Sequence, residues 1–134
     1  RFKECGTHVY IGPFVCIDDP KKIAFGSHVS LHRHSVLIGT GGITIGNNVS
    51  IAHSSSIVST EHTWSDQHLP IKYNPLELSE VIICDDVWIG CGVRLLSGTT
   101  VERRVIIAAG AVVSKKCDNN SIYGGVPAVL IKRI

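Results

Sequence analysis

Histidines are the most versatile chemical groups in this sequence, and several of them fall into two stretches. His28, His32 and His34 form a loose cluster early in the chain. His62 and His68 lie in a later stretch that also contains prolines and tryptophan. An imidazole can remove a proton from a hydroxyl group near neutral pH, and neutral imidazole is also a zinc ligand. The two stretches therefore indicate proton transfer or metal binding, and we interpret the early cluster as solvated histidines on an outer face.

The elements that position these histidines follow a six-residue period. In the C-terminal half the period places apolar residues at Ile83, Ile89, Leu95, Val101, Ile107 and Val113. In the N-terminal half it runs through Ile11, Ile17, Phe25, Leu31, Leu37, Ile45, Ile51 and Ile57. A helix needs a spacing of about 3.6 residues, and an ordinary strand alternates by two over only about 4–8 residues. The period therefore predicts short strands that are separated by tight turns and stacked into a parallel β-helix.

Three steps in this period are longer than six residues, and they span 17–25, 37–45 and 57–83. When the three faces of a coil are counted in turn from Ile11, each long step joins the second face to the third. All insertions are therefore expected to leave from one corner, with a long loop at about 59–80. A long loop on a rigid repeat scaffold is usually functional or disordered, and the aromatic residues and prolines of this loop argue against disorder.

The period Ile-Gly-x-x-x-x resembles the repeat of the hexapeptide-repeat acyltransferases, whose fold is a left-handed parallel β-helix. The resemblance implies an all-β chain with a left-handed β-helix domain over 1–113, a protruding loop at about 59–80 and a C-terminal capping segment over 114–134. The motif Gly124-Gly-Val-Pro127-Ala128 matches the Gly-x-Pro-Ala loop of the family. A short helix from about Ala128 to Ile134 is expected to follow it.

The segment Ser59-Thr-Glu-His62 and the later Val87-Trp88-Ile89-Gly90 are similar to sugar and xenobiotic O-acetyltransferases of this family. There, a histidine at the root of the loop removes the proton of an acceptor hydroxyl while the oxygen attacks the thioester of acetyl-CoA. The resemblance implies that His62 is this general base. The residue that orients His62 stays open, with Asp66 and Glu61 as candidates.

Three further residues take their expected roles in the active site from the same resemblance. Trp88 is expected to form a wall of the site beside the reacting thioester. The main-chain N–H of Cys91 is expected to stabilise the developing oxyanion, which a cysteine side chain does not prevent. His34 stands where sugar acetyltransferases commonly carry an acceptor-binding asparagine, and we assign it that role.

The segment from Ile107 to Lys115 resembles the coenzyme A wall of the family. Ala109 and Gly110 supply small side chains that let the pantetheine arm approach the main chain. Ser114 and Lys115 stand where relatives meet the nucleotide end of coenzyme A. Lys132 matches a basic residue that contacts phosphates in relatives, and Lys116 and Arg133 can supplement it.

The composition restricts the class of protein. The formal net charge is +2, from 13 Lys and Arg against 11 Asp and Glu, which argues against a nucleic-acid partner. No apolar run has the roughly 18 residues of a membrane span. The five cysteines include no C-x-x-C pair, which favours buried or partly buried thiols in a reducing cytoplasm over disulfides or a zinc site. The sequence contains no Met, so we expect residues before Arg1.

The resemblance implies a cytoplasmic, acetyl-CoA-dependent O-acetyltransferase that acts on a hydroxyl group of a sugar or sugar-containing acceptor and needs no metal. It also implies a homotrimer with active sites between subunits, which agrees with the high apolar content of 44%. Two alternatives stay open: a zinc-dependent enzyme similar to the γ-class carbonic anhydrases, with histidines as ligands, and a trimerising β-helix without catalytic activity. The identity of the acceptor, and whether the acyl group is acetyl, do not follow from the sequence.

Overall fold

The six-residue period becomes a stack of two- to three-residue strands in the computed structural model, which describes residues 1–134. Sheet A contains β1 (Glu4–Cys5), β4 (Ile23–Phe25), β7 (Ile43–Ile45), β12 (Val81–Ile83) and β15 (Thr100–Val101). Sheet B contains β2 (Val9–Ile11), β5 (Val29–Leu31), β8 (Val49–Ile51), β13 (Val87–Ile89), β16 (Val105–Ile107), β18 (Ser121–Gly124) and β19 (Val129–Arg133). Sheet C contains β3 (Cys16–Asp18), β6 (Val36–Ile38), β9 (Ser56–Val58), β14 (Arg94–Leu95) and β17 (Val112–Val113).

Strands β1 to β9 and β12 to β17 visit sheets A, B and C in turn, and each of them pairs in parallel with strands one coil away. This order confirms the predicted parallel β-helix. Register is exact from coil to coil: Trp88 of β13, for example, pairs with Ser50 of β8 and with Ile106 of β16. Because every coil repeats the same turns, each corner position lies directly above and below the corresponding positions of the neighbouring coils.

The core lies inside the stack and consists of the periodic positions. Ile45, Ile83, Leu95 and Ile107 are at most 1% exposed, as are most other members of a 22-residue apolar cluster. Thr99 is also fully buried, and its hydroxyl donates to the carbonyl of Val113 at 3.0 Å. No buried side-chain polar atom lacks a hydrogen-bond partner. The core is therefore apolar, and the few polar side chains buried in it are all hydrogen-bonded.

Two of the predicted inward positions are more exposed than expected. Ile11 of β2 is 38% exposed and Ile17 of β3 is half-buried. Both strands lie at the edge of their sheets, so their coil packs against a neighbour on one side only.

All insertions leave at the corner between sheets C and A, as the long steps of the period predicted. The first contains a short 3₁₀ turn, Pro20–Lys22, and the second is the glycine-rich turn before β7. The third contains β10 (Thr60–His62), a 3₁₀ turn (Ile71–Tyr73) and β11 (Leu76–Leu78). Strands β10 and β11 pair antiparallel, with Thr60 opposite Leu78. We call this pair the ribbon.

The prediction of a short helix after Pro127 is wrong. Residues Val129–Arg133 form β19, which pairs antiparallel with β18 and shifts register between Ile122 and Tyr123. A helix of so few residues has little stability of its own. The run Val129-Leu-Ile131 favours a strand, and the free edge of β18 offers unpaired main-chain groups that a strand can bond.

All five cysteines are free thiols, but not all are buried as expected. Cys16 is exposed because it lies next to the inward Ile17 and points outward. Cys5 pairs with the buried Phe25 and so faces inward, but it is exposed because β1 is an edge strand with no coil beyond it. Cys117 is buried, and this burial raises the pKa of its thiol to about 12, so the thiol stays protonated at neutral pH. None of the helical turns is long or apolar enough to cross a membrane.

Candidate functional site

An apolar groove of about 450 Å³ runs along the corner between sheets B and C. We call it the Trp88 groove. Its lining residues come from three successive coils and are mostly small or apolar: Ala52, His53, Trp88, Gly90, Cys91, Ile106, Ile107, Ala108 and Ala109. The groove therefore brings together Trp88, Cys91 and Ala109, three of the residues assigned to the site from the sequence.

Close stacking of the coils requires glycine at position 90. A Cβ atom there would lie 2.6 Å from the main-chain nitrogen of Ala109 and 2.8 Å from the carbonyl oxygen of Ile107. The carbonyl oxygen of Ile107 accepts the N–H of Gly90 at 2.8 Å, so it cannot move away without weakening this hydrogen bond. The absence of a side chain leaves main-chain atoms accessible at the floor of the groove.

Three main-chain N–H groups of the groove remain free to bind a ligand. At this corner the N–H of Gly92 donates to the carbonyl of His53, and the N–H of Gly110 donates to the carbonyl of Cys91. The preceding N–H groups, those of Cys91 and Ala109, have no main-chain acceptor. The N–H of His53, at the same turn position one coil earlier, has no main-chain acceptor either, so the groove carries three similar donors, each one coil apart.

Trp88 separates this groove from a more polar hollow. Its indole is 53% exposed and points outward from the middle of β13. On the other side of the indole lies a hollow of about 370 Å³, which includes Asn48, Asp86 and Arg104. Arg104 and Asp86 form an ion pair of 3.3 Å there. A large aromatic side chain in this position can contact ligands on both sides.

His62 lies elsewhere in the chain, at the end of β10. It lines a hollow of about 200 Å³ with Glu61, Thr63, Trp64, Ser65 and Glu77, and this hollow shares no residue with the Trp88 groove. The side chain of His62 is exposed. Within one chain, the structure therefore does not bring the proposed base together with Trp88 and Cys91.

A buried amide holds the loop beyond the ribbon in place. Asn74 is 4% exposed, and its side chain accepts the N–H of Asp66 at 2.8 Å and donates to the carbonyls of Asp66, Leu69 and Pro70. The carboxylate of Asp66 accepts the main-chain N–H of His68 at 2.9 Å. Asp66 is thus engaged within the loop, whereas Glu61 and Glu77 share the hollow with His62.

His34 lies outside the Trp88 groove. Its ring stacks on Phe14, with a centroid distance of 5.2 Å and an interplanar angle of 6°, and its side chain is exposed. His53 lines the groove instead, and the sequence analysis missed it. Its position in the six-residue period could have identified it as a groove residue, since His53 occupies the same turn position as Cys91 and Ala109.

The early histidine cluster packs in pairs with other rings. His28 stacks on His8 with centroids 4.7 Å apart, and His32 meets Tyr10 edge-on at 5.8 Å. Nowhere in the chain do three His, Cys, Asp or Glu side chains lie close enough together to hold a metal ion.

The basic residues expected near coenzyme A differ in their partners. Lys116 pairs with Glu102 at 2.7 Å, which lowers the pKa of that carboxyl group through a side-chain hydrogen bond, and Arg133 pairs with Asp118 at 3.6 Å. Lys115 and Lys132 make no ion pair and are exposed. Gly110 and Ser114 are also exposed, and they lie in sequence between the groove residue Ala109 and Lys115. Free ammonium groups are therefore available at Lys115 and Lys132.

Comparisons with known proteins agree with this architecture. Residues 80–115 match the family described as "Bacterial transferase hexapeptide (six repeats)". A maltose O-acetyltransferase of Clostridium difficile 630 is 30% identical in sequence, with a TM-score of 0.93, and the alignment covers 99% of this chain and 70% of that one. A hexapeptide-repeat acetyltransferase of Vibrio cholerae, solved in complex with acetyl-CoA, is 26% identical with a TM-score of 0.92, covering 98% of this chain and 71% of that one.

A galactoside O-acetyltransferase of Lactococcus lactis is 27% identical over 136 residues, which cover 99% of this chain and 64% of that protein. Curated relatives are longer than this chain, which spans 43%, 60% and 64% of the length of three of them.

Proposed function

Since the chain belongs to the hexapeptide-repeat acyltransferase family, we propose that it transfers an acetyl group from acetyl-CoA to a hydroxyl group of a sugar or sugar-containing molecule. The observation that carries the proposal is the Trp88 groove, with small side chains and three free main-chain N–H groups. The named activities of similar proteins, on maltose and on galactosides, support a sugar as the acceptor. The free state of all five thiols supports a cytoplasmic location.

The Trp88 groove suits the thin, amide-bearing arm of coenzyme A. Ala52, Gly90, Ala108 and Ala109 leave room for a methylene chain beside the main chain, and the N–H of Ala109 can donate to an amide carbonyl. Lys132 and Lys115, which make no ion pair, are the residues that would bind phosphates at the far end. The chemistry supplied by acetyl-CoA is an activated carbonyl with a thiolate as the leaving group.

His62 and Cys91 divide the chemistry of the transfer between them. A sugar hydroxyl is a weak nucleophile, and His62 would accept its proton while the oxygen attacks the thioester carbonyl. Negative charge then develops on the carbonyl oxygen, and the N–H of Cys91 would donate to it. When the carbon–sulfur bond breaks, His62 would return the proton to the thiolate. The thiol of Cys91 takes no part in this direct transfer.

The separation of His62 from Cys91 supports a site that is completed between subunits of a homotrimer. The ribbon and its loop expose large apolar side chains, among them Trp64, Ile71 and Tyr73, each more than 60% exposed. A neighbouring copy that covers these side chains would place His62 of one subunit against the Trp88 groove of the next. We propose His34 as the acceptor-binding residue, since its exposed imidazole is held by stacking on Phe14.

Titration calorimetry with acetyl-CoA and metal-free protein tests the donor site first. We expect dissociation constants for acetyl-CoA in the micromolar range. The values for wild type and His62→Ala should differ by no more than about tenfold, because His62 lies outside the groove. Acetyl transfer to maltose or a galactoside should then be found for wild type and be largely lost for His62→Ala. His68→Ala is the matched control, since only the main chain of His68 bonds within the loop. Absence of acetyl-CoA binding to all three proteins would contradict the proposed function and favour the zinc enzyme or the non-catalytic trimer.

A further inference from the structure

Three lysines converge on a hollow that the proposed reaction does not use. The hollow, of about 510 Å³, is lined by Lys3, Lys21, Lys22, Thr40, Gly41, Gly42, Leu78 and Glu80. It lies at the corner between sheets C and A, where all insertions leave. We call it the lysine hollow. Its lining residues come from the start of the chain, from the first two insertions and from the ribbon with its following residues.

The lysine hollow carries excess positive charge. None of its three lysines forms an ion pair, and all four ion-pair contacts of the chain involve Arg104, Lys116 or Arg133 instead. Glu80 is the only carboxylate among the lining residues, and it accepts a hydrogen bond from the hydroxyl of Thr44 at 2.6 Å. Asp19, outside the lining, likewise accepts the hydroxyl of Thr40 at 2.7 Å.

One of the lysines is fixed in the hollow. The Nζ atom of Lys22 donates to the carbonyl oxygen of Thr40 at 2.8 Å, which holds this ammonium group at the glycine-rich turn. Lys3 and Lys21 make no side-chain hydrogen bond and are exposed. The hollow thus combines one ordered ammonium group with two that can adjust to a ligand, an arrangement suited to an anion with several oxygen atoms.

The ribbon connects the lysine hollow to His62. Leu78 lines the hollow and pairs with Thr60, two residues before His62 on the same strand. Alternate residues share a face of a strand, so Thr60 and His62 lie on one face of the ribbon, about 7 Å apart along it. The lysine hollow and the hollow at His62 therefore lie at neighbouring positions along one ribbon.

We propose that the acceptor carries a phosphate group that binds in the lysine hollow while a hydroxyl group of its sugar reaches His62. The proposal rests on the proposed function. Charge also fixes the direction of the acceptor, because Glu61 and Glu77 line the hollow at His62 and would repel a phosphate there. A sugar phosphate monoester and a nucleotide-linked sugar both present this chemistry.

The test compares acetyl transfer to glucose, glucose 1-phosphate and UDP-glucose at low and high salt. We expect kcat/KM to be about tenfold or more higher for at least one phosphorylated acceptor than for glucose at low salt, and this preference to shrink at high salt. A preference for glucose 1-phosphate alone identifies a monoester, and one for UDP-glucose identifies a diphosphate. Equal kcat/KM for all three acceptors would overturn the proposal.

In the double variant Lys3→Gln/Lys21→Gln, kcat/KM for the phosphorylated acceptor should fall close to kcat/KM for glucose, so that their ratio is near one. Lys22 is left unchanged because it holds the turn at Thr40. The matched control is Lys72→Gln, an exposed lysine near the ring of Tyr73 and outside the lysine hollow. An unchanged ratio in the double variant would overturn the proposal.

A direct titration of the acetyl-CoA-free protein with glucose 1-phosphate and UDP-glucose tests the phosphate site separately from the proposed acetyl transfer. If no sugar is acetylated, the proposed function fails, but binding that is lost in the double variant and kept in Lys72→Gln still supports the lysine hollow as a phosphate site. Binding of neither ligand would overturn the phosphate site, whatever the activity toward neutral sugars.

Discussion

The Trp88 groove and the ribbon contribute to the same proposed reaction, but they are built in different ways. The groove consists of main-chain groups that recur from coil to coil, with strands on both sides that pair in parallel register. The ribbon has no neighbouring coil of its own and exposes most of its side chains. Its loop depends on the amide of one residue, Asn74.

This difference separates two tasks. The donor is the same molecule in every turnover, and a groove of fixed main-chain donors suits it because rigid groups lose little entropy on binding. An acceptor is recognised by charges and side chains on a segment that can vary without disturbing the coils. If the two tasks are separate, a change in one region should leave the function of the other region unaffected.

Removal of His62 should have the largest effect and should be confined to the ribbon. We expect His62→Ala to lower kcat by about 10²–10⁴-fold, because general base catalysis contributes about this much. The melting temperature should stay the same, since the side chain of His62 is exposed. Steady-state kinetics and a thermal melt check the two expectations. Full activity of the variant would remove His62 as the base.

Substitution of Gly90 tests the groove through its packing. Gly90→Val should destabilise the protein by about 3 kcal/mol, since its Cβ would meet main-chain atoms of the next coil. The matched control is Gly92→Asn, because Gly92 has nothing within 4 Å of a Cβ position and asparagine tolerates its φ of +67°. Denaturant unfolding measures both. Equal loss of stability would show that stacking at Gly90 is not the limiting contact.

Loss of the Asn74 amide should loosen the loop without loosening the coils. Asn74→Ala removes a buried hub of hydrogen bonds and should cost about 1–3 kcal/mol locally. We expect faster hydrogen exchange at 60–78, lower kcat and unchanged affinity for acetyl-CoA. Asn119→Ala is the control, since only its main chain bonds within the protein. Weaker acetyl-CoA binding in Asn74→Ala would show that the groove and the loop are coupled.

The smallest effect is expected at Lys132. Lys132→Ala should raise the dissociation constant of acetyl-CoA by up to about tenfold, the range of one charge-assisted contact. A dephospho analogue that lacks the contacted phosphate should show a smaller change. Lys116→Ala is the control, because Glu102 already pairs with Lys116. Calorimetry on both ligands decides the point, and equal weakening of the two would refute the phosphate contact.

The part of the molecule that could be predicted from the sequence is the part that repeats. A periodic core position such as Leu95 is identified by its neighbours six residues away, so the inner faces and the corner of the insertions were predicted correctly. The ribbon was not, because the pairing of Thr60 with Leu78 is made once and leaves no period.

The misses at the ends and corners have the same origin. The strand at Val129–Arg133 forms because β18 has a free edge, which a local pattern does not reveal. His53 was missed as a groove residue because its residue type alone does not show that it is the counterpart of Cys91 in the coil before. Alignment of corner positions from coil to coil would have found it.

The free N–H of Cys91 has a consequence for how this protein would look in a mutational scan. A main-chain donor survives the replacement of its side chain, so a scan of alanine variants would pass over position 91 even if the donor is essential. Proline is the substitution that exposes it. Pro13 occupies the same turn position in the first coil, followed by a residue with positive φ just as Cys91 is followed by Gly92. The corner thus accepts a proline, and Cys91→Pro would remove the main-chain N–H from the site while the turn around it stays in place, with Cys91→Ala as the control for loss of the thiol.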